Sequence, residues 1–203
     1  MLPIILSPVV DTLARWDVAF FYVVNNGTHN KLFDIVMPFL TNIDNWRVPL
    51  AVMWVGLLIF GGKKGRIAAV LAGLCLALTD QLSSSLLKPY FARTRPCNLL
   101  ENVRLLVNCT RAYSFPSSHA TNIFAQAALF SFTYRRFTPL FAFLALLVGY
   151  SRVYVGVHFP FDVLFGAVVG ILCAAGVLAL GNVAKTGVAR VNLSRLSVFR
   201  KRE

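Results

Sequence analysis

Five stretches of the sequence, Val48–Gly62, Ile67–Leu87, Ser117–Tyr134, Leu140–Tyr154 and Phe161–Leu180, are sustained apolar runs bounded by charge, glycine or proline. Runs of this length leave few choices. A hydrocarbon layer of ~30 Å takes roughly 20 helical residues to cross. Inside it, backbone N–H and C=O groups must be satisfied by the protein, which in spans of this length means helices. With 57% hydrophobic and 14% charged residues, and a mean hydropathy of +0.67, the chain is too apolar for a soluble domain. The expectation is an all-α, polytopic membrane bundle.

The region before these runs is mixed. Val9–Val24 is interrupted by Asp11, Arg15 and Asp17, and Asn25-Asn26-Gly27-Thr28 then signals a turn. This predicts an interfacial N-terminal helix within residues 1–30, followed by a short or tilted first span near Leu32–Leu40, for about six crossings. Met1–Leu6 has no basic n-region and does not read as a cleaved signal. No solenoid repeat, low-complexity tract or linker interrupts the chain, so a single domain is expected over residues 1–203. Residues 185–203, with Arg190, Arg195, Arg200, Lys201 and Arg202, read as a basic cytoplasmic tail drawn to anionic lipid.

The formal charge of +12 calls for an anionic partner: nucleic acid, a membrane surface or a substrate. In so apolar a chain the bilayer and an anionic substrate fit, and nucleic acid does not. Lys63, Lys64 and Arg66, then Arg135 and Arg136, then the basic tail follow alternate spans, and they place those ends in the cytoplasm. The opposite ends carry Lys88–Phe115 and Ser151–Asp162. That face is basic as well, against the usual bias, and anion binding accounts for it.

Three clusters gather there: Lys88-Pro89-Tyr90-Phe91-Ala92-Arg93-Thr94-Arg95-Pro96, Phe115-Pro116-Ser117-Ser118-His119, and Ser151-Arg152 through His158-Phe159-Pro160-Phe161-Asp162. Charge at membrane depth is costly unless it is paired or functional. Arg95 and Arg152 can grip phosphate oxygens as planar forks and Lys88 as a point charge, although lone cations also snorkel to an interface. Ser117 at a helix start leaves backbone N–H groups for an anion, or is simply a cap. His158 and Asp162, four apart across Pro160, can pair so that one ring nitrogen faces a substrate, or form a plain polar pair.

Taken together, these clusters resemble the type-2 phosphatidic acid phosphatase (PAP2) superfamily, whose pattern is Lys-x6-Arg-Pro, Pro-Ser-Gly-His and Ser-Arg-x5-His-x3-Asp. Lys88 to Arg95-Pro96, Pro116 to His119, and Ser151-Arg152 to His158 and Asp162 match in order. Ser118 departs from the pattern, standing where the family has glycine. The resemblance implies that His158 attacks phosphorus, that Asp162 orients it, and that His119 protonates the leaving oxygen and later activates water. It implies that Lys88, Arg95, Ser117, Ser118 and Arg152 hold the phosphoryl group with no metal and no cofactor. It is similar to bacterial members that remove phosphate from undecaprenyl diphosphate in the inner membrane, with the site facing the periplasm. Phosphatidylglycerophosphate, phosphatidic acid and lipid A phosphate are alternative substrates, and transfer to another lipid is an alternative outcome.

Other residues are read more plainly. His29 lies in a turn and is expected to be solvated. Arg93, Arg104 and Arg111 are secondary candidates for a headgroup or are solvated. Asp80, Gln81 and Ser83–Ser85 make the third span polar, for helix packing or for lining the route to Lys88. Cys75 and Cys173 lie in apolar runs. Cys97 and Cys109 flank a polar loop, and pairing them would restrain Asn98–Asn108.

Overall fold

The structure is a computed structural model that describes the backbone of residues 7–199 and the side chains of residues 8–181. Among the described residues there are helices and connecting loops and no strand. In chain order the helices are α1 (Ser7–Tyr22), α2 (Lys31–Thr41), α3 (Arg47–Phe60), α4 (Gly62–Asp80), α5 (Lys88–Phe91), α6 (Pro96–Leu99), α7 (Ser118–Thr133), α8 (Thr138–Tyr154) and α9 (Pro160–Phe199). Met1–Leu6 and the side chains of the basic tail lie outside the described residues.

Three helical stretches, Gly62–Leu99, Arg135–Tyr154 and Pro160–Gly181, are long and apolar enough to cross a membrane, and Arg47–Phe60 is a shorter apolar helix. Their outward side chains, such as Val52, Leu74, Leu146 and Leu172, are exposed, as they are where lipid is the solvent. The 16 residues of α7 extend only about 24 Å at 1.5 Å per residue. That helix is instead packed at the centre of the bundle, against α4, α8 and α9. The 11-residue α2, on the predicted first span, reaches about half the apolar thickness.

The predicted turn at Asn25–Thr28 is helical as far as Gly27. Val23–Gly27 continues α1 in π geometry. Asn25, fully buried, explains the difference. Its amide donates to the carbonyls of Arg104 (2.9 Å) and Tyr154 (2.7 Å), and its oxygen accepts from Arg104 N–H (2.8 Å). Tertiary bonds override the local turn preference.

Two glycines set the closeness of α7 and α9. A Cβ on Gly166 would lie 2.8 Å from Ser117 O, and one on Gly170 would run into Thr121 O. This small-x-x-x-small spacing lets the backbones touch. A core of small residues, including Ala72, Cys75, Ala125 and Ala174 with Leu129, fills the space between α4, α7 and α9. At the end away from the three motifs, Lys64 lies over the Tyr134 ring at 4.9 Å. The basic start of α4 and the basic turn before α8 therefore share one end of the bundle.

Candidate active site

All three motifs meet at the opposite end. Between α4 and α5, Gln81–Leu87 forms a π-helical segment, a device common near functional sites. It delivers Lys88, whose N–H bonds back to Ser83 O. Two of the serines there bond to the preceding turn of the same helix: Ser83 to Asp80 O (3.3 Å) and Ser85 to Gln81 Oε1 (3.1 Å). Ser84 Oγ instead reaches Ser118 Oγ across the site at 3.2 Å.

Backbone bonds knit the motifs together. Ser114 N–H donates to Arg93 O at 2.8 Å, and Ser117 N–H to Asp162 O at 3.0 Å. Ser114 Oγ adds bonds to Arg93 O and Thr94 O, each 3.2 Å. On the apolar side, Phe115 packs against Phe91 and Phe165 with ring centroids 4.7 Å away in both cases. The turn that carries His158 is closed by Arg152 O, which accepts from the N–H groups of Val157 and His158. It needs Gly156 at φ +89, where an added Cβ would also meet Arg104 O at 2.8 Å.

His158 is 1% exposed and Asp162 fully buried. Pro160 begins α9, and Asp162 on its first turn folds back so that Oδ2 accepts from Phe159 N–H at 2.8 Å, the carboxylate half of a capping box. His158 Nδ1 stands 3.4 Å from the same oxygen and completes no hydrogen bond. Such contacts commonly tighten only in the complex with substrate. Burial holds His158 well below its ordinary pKa of 6.5. The positive charges of Arg152, Arg95 and Lys88 act in the same direction, and the Ser114 backbone opposes them. The imidazole is therefore neutral at neutral pH.

Each expected cation is anchored to the framework by one bond. Lys88 Nζ donates to Tyr113 O (3.0 Å), Arg95 Nε to Ala112 O (2.8 Å) and Arg152 Nη1 to Thr41 Oγ1 (2.5 Å). The buried Arg152 Nε has no protein partner among the described residues. The remaining N–H groups of Arg95 and Arg152 are therefore available to an anion.

Ser117 is fully buried and caps α7 by accepting from Ala120 N–H at 3.4 Å, which leaves its hydroxyl proton unused. Ser118 and His119, half-buried, carry N–H groups at the start of α7 that have no intrahelical acceptor. His119 lies within electrostatic reach of His158, Arg152, Lys88 and Arg95. Among the described residues no group of three or more His, Cys, Asp or Glu side chains converges to hold a metal ion.

Several residues have places that the sequence did not disclose. Arg93 is bound by two carboxylates, Asp17 Oδ2 at 2.7 Å and Asp162 Oδ1 at 2.6 Å, so it is a paired cation and not a free headgroup receptor. Arg104 is engaged by Asp34 (2.8 Å) and by Asn25 O (3.2 Å). Arg111 is exposed, as is His29, whose Nδ1 pairs with Asn26 O. Asp17 and Thr41 reach the site from α1 and α2. Asp17 stands in a stretch that also carries Asp11 and Arg15, so its burial had no distinguishing signal, and Thr41 had none either. Cys97 and Cys109 form a disulfide, and Cys75 and Cys173 are free.

Known proteins resemble this chain in sequence and fold. Residues 68–185 match the PAP2 superfamily, a range that includes all three motifs. A lipid A 4'-phosphatase from Bacteroides thetaiotaomicron is 32% identical over 154 residues, covering 71% of this chain and 68% of the relative. The undecaprenyl-diphosphatase BcrC of Bacillus subtilis is 29% identical over 144 residues, covering 71% of this chain and 72% of the relative. The crystal structure of Aquifex aeolicus LpxE superposes with a TM-score of 0.66 at 30% identity, over 80% of this chain and 94% of that one. The family model spans more than half of the chain and the fold superposes on a solved structure at 30% identity, so the chain belongs to the PAP2 superfamily.

Proposed function

We propose that the protein is a membrane lipid phosphatase that removes the terminal phosphate of a polyprenyl diphosphate through a phosphohistidine at His158. The observation that carries this reading is the buried, neutral His158 beside Asp162, with Lys88, Arg95 and Arg152 in mutual electrostatic reach. In the first step the free ring nitrogen forms a bond to phosphorus while the bond from phosphorus to the leaving oxygen breaks. His119 delivers the proton that oxygen needs. In the second, His119 takes a proton from water, whose oxygen attacks phosphorus and frees His158 with inorganic phosphate. The three cations, the Ser117 and Ser118 hydroxyls and the N–H groups of Ser118 and His119 neutralise the charge on the phosphoryl oxygens in both transition states.

The basic turns at the far end of the bundle support an orientation in a bacterial inner membrane with the site facing the periplasm. A lipid A phosphate is the second reading, favoured by the Bacteroides thetaiotaomicron relative. The test is phosphate release by the purified, detergent-solubilised protein from polyprenyl diphosphate, lipid A, phosphatidylglycerophosphate and phosphatidic acid, with chelator present. The highest kcat/KM identifies the substrate. Acid-labile, base-stable label from ³²P-substrate is expected on the wild type and not on His158→Ala. Full turnover by His158→Ala, or a strict need for added divalent metal, defeats the proposal.

A further inference from the structure

Asp17 is 1% exposed on a helix whose Val9, Val10, Leu13, Trp16 and Phe20 are all exposed. A carboxylate buried on such a helix costs free energy unless it is fully paired. Both of its oxygens are used, and both point at the nucleophile's segment. Oδ1 accepts from Phe161 N–H at 2.8 Å, and Oδ2 accepts from Arg93 Nη2 at 2.7 Å. The other arm of that guanidinium, Nη1, donates to Asp162 Oδ1 at 2.6 Å, and its plane lies over the Phe159 ring at 4.1 Å. Phe159 in turn packs on Phe21 of α1 at 5.7 Å.

The division of oxygens on Asp162 is the informative detail. Oδ1 is held by Arg93, and Oδ2 serves Phe159 N–H and faces His158 Nδ1 at 3.4 Å. A guanidinium and a carboxylate left to themselves favour a two-armed, side-on pair. Here the second arm is taken by Asp17, so Arg93 reaches only one oxygen of Asp162. We propose that Asp17 is a positioning residue: it holds Arg93 in a one-armed bond to Asp162 and thereby keeps Oδ2 for the imidazole of His158. This rests on the reading of His158 as the nucleophile. Asp17 touches no reacting atom, and its effect is transmitted through Arg93.

The test uses full-length, detergent-solubilised protein and the best substrate of the lipid panel. Asp17→Asn keeps an acceptor for Phe161 N–H but removes the charge that occupies Arg93. The expected result is a kcat about 10- to 100-fold lower, as for other residues that orient a catalytic group, with KM within about 3-fold of the wild type. Arg93→Gln removes the bridge itself, and the double variant Asp17→Asn/Arg93→Gln is expected to be no slower than Arg93→Gln alone. Arg93→Lys retains the charge without the fork and is expected to be slow as well. Asp17→Asn with a kcat within about twofold of the wild type, or losses that multiply in the double variant, overturn the proposal. If Asp17→Asn does not fold, a folded Arg93→Lys protein with wild-type kcat overturns it equally. His158→Ala runs alongside. Should it be inactive while Asp17→Asn is unimpaired, only the positioning role fails; should it be active, the nucleophile reading fails and this inference with it.

Discussion

The two sides of the site are built differently. On the His158 side His158, Asp162 and Arg152 are buried, and the carboxylate beside the imidazole is held from two directions: Asp162 accepts from Arg93 and from Phe159 N–H, and Arg93 is held in turn by Asp17. On the His119 side, Lys88, Ser118 and His119 are half-buried, and the contacts that hold them are few: Lys88 to Tyr113 O and Ser118 to Ser84. A group that must form and break a covalent bond to phosphorus at one fixed angle gains from an over-determined frame. In the proposed reaction the His119 side receives the leaving group and the water, and it does not need one. The rigid side answers to chemistry, the open side to the substrate.

The largest effect that separates the two sides comes from the histidines. His158→Ala is expected to lower kcat by on the order of 10⁴-fold or more for every substrate, because the covalent route itself is lost. His119→Ala is expected to lose about 10²- to 10⁴-fold, the range for a general acid–base, on a lipid with a poor leaving group. It should recover much of that on an aryl phosphate, whose leaving oxygen needs no proton. Steady-state rates of both variants on the two substrate types check this. If His158→Ala also recovered on the aryl phosphate, the assignment of sides would be broken.

A smaller effect is expected where the sides are joined. Gly166 lets α9 approach the start of α7, and a methyl group there would stand 2.8 Å from Ser117 O. Backbone cannot swing aside as a side chain can, so Gly166→Ala is expected to cost about 1–3 kcal/mol of stability. It should also lengthen the Ser117 N–H to Asp162 O bond, now 3.0 Å, which ties His119 to His158. Thermal unfolding in detergent and kcat should therefore fall together. A stable Gly166→Ala protein with wild-type turnover would show that the spacing of the two sides is not set at this crossing.

The sequence disclosed the parts of this plan that are local and hid those that are not. Long apolar runs and charge at their ends are properties of single segments, so the helices and the basic turns are legible. Lys88, Arg95, His119, Arg152, His158 and Asp162 stand out in the sequence because they fall on the three short motifs by which the chain resembles the PAP2 superfamily. Asp17 and Arg93 are 76 residues apart and Thr41 and Arg152 are 111 apart, and no periodicity connects such pairs. Asn25 was misleading for the same reason: its turn preference is local, whereas the bonds that make it helical go to Arg104 and Tyr154. Arg93, Arg104 and Arg111 are alike in sequence and differ only in which carboxylates the fold brings to them.

The mildest test falls on the loop that anchors the open side. The Cys97–Cys109 disulfide spans 12 residues, and closing a loop of that size stabilises by up to about 3 kcal/mol in the chain-entropy account. Just beyond it, Ala112 O and Tyr113 O hold Arg95 and Lys88. The frame around His158 runs through Asp17, Arg93 and Phe159, outside the cross-linked loop. Loosening the loop is therefore expected to be felt in phosphate binding before it is felt in chemistry. In Cys97→Ser/Cys109→Ser protein, KM should rise by a few fold with kcat nearly unchanged, the pattern of lost uniform binding. Reductant should bring wild type to the same values and leave the double variant as it was. A fall in kcat with constant KM would mean that the loop also supports the His158 side, and that the two halves are less independent than their bonding suggests.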